Sequence, residues 1–166
     1  MRMFRMWQAL WHWFPPRHQQ KGLHLLFTSD EHGRSLQYLY LKSGMHEPII
    51  LLIECEDGAT QTVLGAYLSK SFVNRLDNKV YGTGETFVFS LDPEIVEYPW
   101  NKTDNGFITA SDKGIGVGAG EDGFALWIDS SMTHLTSHPT KIFKNSHPLF
   151  NKPLRIKCLE AWSFIE

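Results

Sequence analysis

Two stretches of the chain bring chemically capable residues together. The first is Tyr81-Gly82-Thr83-Gly84-Glu85-Thr86-Phe87-Val88-Phe89-Ser90-Leu91, where a carboxylate follows a glycine-flanked threonine and opens an alternating segment. Glycines at 82 and 84 permit a strained turn. Glu85 at its exit would cap backbone amides of that turn, pair with a cation from a neighbouring loop, or act as an acid/base group beside a histidine. The structural roles are favoured, with a surface acidic contact as the functional form. The second stretch, Gly118-Ala119-Gly120-Glu121-Asp122-Gly123, has the glycine spacing of a dinucleotide loop. That chemistry needs a following helix whose N-terminal amides hold a pyrophosphate. Here Phe124-Ala125-Leu126-Trp127-Ile128-Asp129 follows, which reads as a strand, and Glu121 and Asp122 would repel phosphate. The segment is a tight hairpin with two carboxylates at its tip. Gly84, Glu85, Glu121 and Asp122 are thus the candidate binding residues. Gly82, Gly118, Gly120, Trp127 and Trp162 are structural candidates.

Other chemistries fit poorly. His134 and His138 have a four-residue spacing that converges metal ligands only on a helix, and Pro139 with its Thr and Ser neighbours argues for a loop. No G-x-S-x-G elbow accompanies the Ser, His and Asp residues. Cys55 and Cys158 sit in apolar strand patterns, where a thiol is ordinarily inert core. The chain carries 16 Lys and Arg against 18 Asp and Glu, a formal net charge of −2, so there is no global field for nucleic acid. No metal or cofactor is expected.

These residues need elements to hold them. Gly114, Gly116, Gly118 and Gly120 fall on every second position, so one strand face lacks side chains and admits a ring such as Trp100 or Trp127. Thr28-Ser29-Asp30-Glu31 predicts a capping box opening a helix, with His32, Leu36, Leu39 and Tyr40 on one face and Gly44 as the stop. Strands are expected at Ile49–Cys55 and Val63–Leu68 around an Asp57-Gly58 turn, then at Thr86–Leu91, Gly106–Ala110, Ile115–Gly118, Phe124–Asp129 and Leu154–Phe164. Short strands at turn-marked spacing predict an α+β, mainly β fold: a two-sheet antiparallel sandwich with a few flanking helices. Length predicts one domain, and the 42% hydrophobic content excludes a disordered chain. Residues 1–22 read as an amphipathic helix and lead-in, with Phe4, Trp7, Leu10, Trp11 and Phe14 on one stripe, and 23–166 as the domain proper. The helix is expected to pack on the body, with contact to a membrane surface as the second option. Gln8, His12 and Pro15-Pro16 argue against a signal peptide, so a cytoplasmic location is expected.

Gly65-Ala66-Tyr67-Leu68-Ser69, the run Gly82 to Phe89, Gly118-Ala119-Gly120 leading to Ala125-Leu126-Trp127-Ile128-Asp129, and Leu159-Glu160-Ala161-Trp162-Ser163-Phe164 occur in this order in TLDc domains. The chain resembles that family from Leu23 onward. Trp13-Phe14-Pro15-Pro16-Arg17 and the stretch Leu26 to Leu36 are most similar to the TLDc half of TBC–TLDc proteins, the Skywalker type of synaptic Rab regulator. The resemblance implies a two-sheet sandwich, roles in oxidative-stress protection and vesicle traffic, and binding to the vacuolar proton pump. It supplies no catalytic residue, and it implies a non-enzymatic module excised from a longer protein. The rival is a weak antioxidant or hydrolytic enzyme using Glu85 and a histidine; a carbohydrate-binding sandwich would need exposed aromatics on a concave face. Two departures stand out: Ala119 interrupts the glycine run, and Leu135 to Asn145 replaces a segment that usually carries a cysteine. A redox role for that thiol is therefore not expected here.

Overall fold

The run Ile49–Ile53 is apolar at every position because both faces of its strand are covered. In the computed structural model, which describes residues 2–165, this strand is β2 (Ile49–Asp57). It pairs antiparallel with β3 (Thr60–Leu68) across the expected turn, where Gly58 takes φ 62°. β4 (Phe87–Asp92) and the short edge strand β5 (Val96–Tyr98) extend the sheet beyond β3. On the other side of β2 lies β10 (Leu154–Phe164), bounded as expected from the sequence. β1 (Leu23–Thr28) flanks the C-terminal half of β10.

The second sheet leaves from the other end of β10. Leu154 and Arg155 pair with β9 (His134–Thr136), and β8 (Phe124–Asp129), β7 (Gly114–Ala119) and β6 (Ile108–Ser111) follow in antiparallel order. The ladder is thus continuous through β10, and the two halves face each other across one core. Inner residues of β10 are Leu154 and Ile156, then Leu159 and Ala161. A register shift between Ile156 and Cys158 accounts for that change of parity.

The outer face of the first sheet carries Ile50, Val63, Tyr67, Phe87, Phe89 and Phe164. α1 (Arg2–Trp13) covers it, burying its own Leu10 and the Phe14 that follows it while Phe4 stays exposed. The N-terminal helix therefore docks on the body. Three expectations are corrected. Thr28 makes no side-chain cap; its hydroxyl lies 3.6 Å from the Cys158 sulfur instead. The single helix is two pieces, α2 (Ser29–His32) and α3 (Leu36–Ser43), broken where Gly33 turns to φ 80°. Ser35 caps α3 by accepting from the Tyr38 amide at 3.1 Å, and Gly44 ends it at φ 52° as expected. The third correction is β9, which makes a strand of 134–136 in a stretch where Pro139 and its Thr and Ser neighbours argued for a loop.

Candidate functional site

The turn after β3 is built from hydroxyls. Ser69 Oγ accepts from the Thr83 amide at 2.8 Å and from Thr86 Oγ1 at 2.9 Å. Thr86, fully buried, accepts in turn from the Ser69 amide at 3.3 Å. This fixes the path of Gly82 to Glu85. Gly82 takes φ 107°, the left-handed region that favours glycine, and a Cβ there would press on Ile108. Gly84 has no such φ; its reason is contact, because a Cβ would fall within 2.2 Å of the Trp100 ring. Trp100 therefore lies on Gly84, not on the glycine strand, so of the two rings offered for that strand it is Trp127 that takes the place.

Glu85 finds its partner in the lead-in after α1. Arg17 Nη1 and Nη2 donate to its two carboxylate oxygens at 2.6 and 2.5 Å. Pro15 and Pro16 set the entry to the short 3-10 turn that carries Arg17. Trp11 Nε1 donates to the Gln19 carbonyl at 2.7 Å, and the His18 ring stacks on Phe164 at 4.6 Å. The lead-in is thus pinned before the guanidinium reaches Glu85. The Arg17 hydrogen bonds hold the Glu85 carboxyl below its ordinary value, against a smaller opposing effect of burial. The expected cation from a neighbouring loop is Arg17.

A cleft of about 320 Å³ opens beside this pair, between Trp13 and Trp100. Glu97 of β5 lines it, opposite Phe89 in register. Glu121 and Asp122 lie elsewhere. They are exposed at the β7–β8 tip and line a separate depression with Asp104 and Lys141. Trp100 links the two places, since its Nε1 donates to the Asp104 carbonyl at 2.6 Å. The four candidate residues therefore form two places on the surface, not one.

The glycine strand β7 is a bed for rings. A Cβ at Gly114 would meet Trp127, and one at Gly116 would meet Phe124; these two rings stack at 5.4 Å. Gly118, at φ 78°, abuts Phe143. Phe143 and Ile142 are buried, held by a turn in which Asn145 donates to the His138 carbonyl at 2.9 Å. At Gly120 a Cβ would meet the Gly123 carbonyl. Trp162 reaches from β10 to Trp7 of α1 edge-on at 5.7 Å.

The thiols lie in poor places for redox chemistry. Burial pushes Cys55 up to about 12, and Glu54 adds to the shift. Cys158 is half-buried and also raised, chiefly by burial. Its neighbour Lys157 is 3.4 Å from Glu54, so that cation is committed to another group. His134 lies 3.7 Å from Asp129, while the His138 ring packs on Gly123. The two histidines do not converge. Among the described residues no helix is long and apolar enough to cross a membrane.

The architecture is a mainly β sandwich sealed on one outer face by an N-terminal helix, with its candidate residues on surface turns. The chain belongs to the TLDc domain family, which it matches over residues 4–165. The matched stretch includes most of α1. The chain is 36% identical over 173 aligned residues to the GTPase-activating protein skywalker of Drosophila melanogaster, covering 95% of this chain and 29% of that protein. It is 33% identical to Oxidation resistance protein 1 of Homo sapiens, over 90% of this chain and 17% of that one. Nuclear receptor coactivator 7 of Homo sapiens is 30% identical, over 90% and 16%. The chain spans less than a third of the length of each of these relatives.

Proposed function

We propose that the domain is a non-enzymatic interaction module of a membrane-traffic regulator, linked to oxidative-stress resistance. The observation that carries this is the Arg17–Glu85 pair. Both oxygens of the most chemically suggestive carboxylate are engaged by a guanidinium that anchors the lead-in. A general base needs a basic carboxylate aimed at its substrate's proton, whereas the Arg17 hydrogen bonds direct Glu85 to the lead-in and hold its carboxyl below the ordinary value, which weakens it as a base. Relatives named for GTPase activation, oxidation resistance and receptor coactivation share this one stretch. A shared docking role accounts for such different whole proteins better than a shared reaction does. Its proposed partners are proteins, the vacuolar proton pump or vesicle-trafficking proteins, and its proposed place is cytoplasmic, peripheral on synaptic or endosomal vesicles.

The test immobilises this 166-residue chain and exposes it to detergent-solubilised vesicle membranes. Enrichment of proton-pump subunits or vesicle-traffic proteins over a denatured control is the expected result. Peroxide consumption or ester hydrolysis by the purified chain, lost in Glu85→Gln, would establish the enzyme instead.

A further inference from the structure

Glu97 occupies an unusual position. It stands on β5, the sheet edge, paired only to β4, and faces the same side as Phe89 and α1. Trp13 packs on Phe89 at 6.1 Å and on Phe87 at 6.5 Å, which puts its indole beside this position. Glu97 is half-buried, and among the described residues no hydrogen bond or ion pair reaches its carboxylate. Burial raises its carboxyl, as expected for a charge partly withdrawn from water and given nothing in return. The other charges of the cleft cancel, because Arg17 and Glu85 neutralise each other. A single net negative charge remains, flanked by two indoles and by Pro99, which has no amide to donate. Indole faces attract cations, and a carboxylate beside them sharpens that preference.

We propose that the Trp13–Glu97–Trp100 cleft receives a basic side chain, arginine or lysine, from a protein partner. The inference rests on the interaction-module reading and assigns the chemistry that reading needs. The cation lies between the indoles with its charged head on Glu97. A planar guanidinium suits both indole faces and the carboxylate, so arginine is preferred over lysine. Gly84 belongs to the site through Trp100, whose ring it admits.

The probe is the blocked peptide acetyl-(Arg)4-amide, titrated into the labelled chain while the Trp13 and Trp100 indole N–H signals are followed. Acetyl-(Lys)4-amide, acetyl-(Glu)4-amide and phosphatidylcholine vesicles are the comparison arms. Saturable shifts at both indoles with the arginine peptide are expected. Binding should weaken with salt, drop at least fivefold in Glu97→Gln and in Glu97→Ala, and persist in Glu121→Gln/Asp122→Asn. Circular dichroism verifies that each variant is folded. Equal affinity in both Glu97 variants would overturn the proposal. So would shifts confined to Glu121 and Asp122, shifts with vesicles alone, or none at millimolar peptide. Peptide binding supports the cleft even where no vesicle protein is captured, a result that overturns only the wider reading.

Discussion

Arg17 and Glu85 make a two-bond contact between the lead-in and the turn, yet its energy is modest. Their side chains are 59% and 42% exposed, and exposed pairs contribute up to about 1 kcal/mol. Its sign is set by Glu85, whose carboxyl is held below its ordinary 4.5. The stabilisation is therefore present above pH 4.5 and lost as pH falls through the lowered value. Thermal melts of wild type and Glu85→Gln should differ at neutral pH and converge in acid. A gap that does not change with pH would mean the pair does not stabilise the fold. Gly84 makes a sharper case. Replacement by valine should destabilise by roughly 1–3 kcal/mol, the cost of overpacking, because the side chain meets Trp100. In a Trp100→Ala background the same replacement should cost clearly less, a coupling a denaturant-melt cycle reads directly. Equal cost in both backgrounds would point to backbone conformation, the reason that holds at Gly82. The sequence marked Gly82, Gly84 and Glu85 as a unit, but not Arg17, which lies 68 residues away. Nothing in local spacing reports such a partner; only the folding of the lead-in across the sheet brings it there.

β10 joins the two sheets, pairing with β2 along one side and with β9 and β1 along the other. Removing residues 159–166 should abolish cooperative unfolding, because Leu159, Ala161 and Phe164 belong to the two cores. A truncated chain that still melts sharply near the wild-type temperature would contradict this. Elements with strong local patterns were legible: β8 and β10 agree at both ends, and the β2–β3 hairpin follows from Asp57-Gly58. The completely apolar stretch of β2 was readable as a buried strand, though not the reason, which is α1 on its outer face. β9 was not legible, because three residues have no periodicity and only pairing with β8 and β10 defines them. The break at Gly33 was missed because Thr28 to Glu31 imitates a capping box. In the fold the Thr28 amide donates to His32 Nδ1 at 3.1 Å, and its hydroxyl turns to Cys158. Tertiary contacts had taken the groups that local signals assigned elsewhere.

As a whole, the molecule offers surface turns and an aromatic cleft, and keeps its thiols inside or half-covered. A reactive cysteine needs access and a lowered pKa, whereas Cys55 is pushed up to about 12 and Cys158 is raised as well. Iodoacetamide at neutral pH should leave Cys55 unmodified in the folded chain, as mass spectrometry can read. Rapid labelling there without unfolding would contradict the assignment. The proposed function places any protection from oxidation in partners and not in chemistry of this domain. Its most direct test is peroxide survival of cells carrying the full-length protein with Cys55→Ala and Cys158→Ser, after circular dichroism verifies that the doubly substituted domain folds. Survival equal to wild type, with partner capture retained, is the predicted result. Lost survival in a folded variant that keeps its partners would contradict it and make the domain a chemical participant.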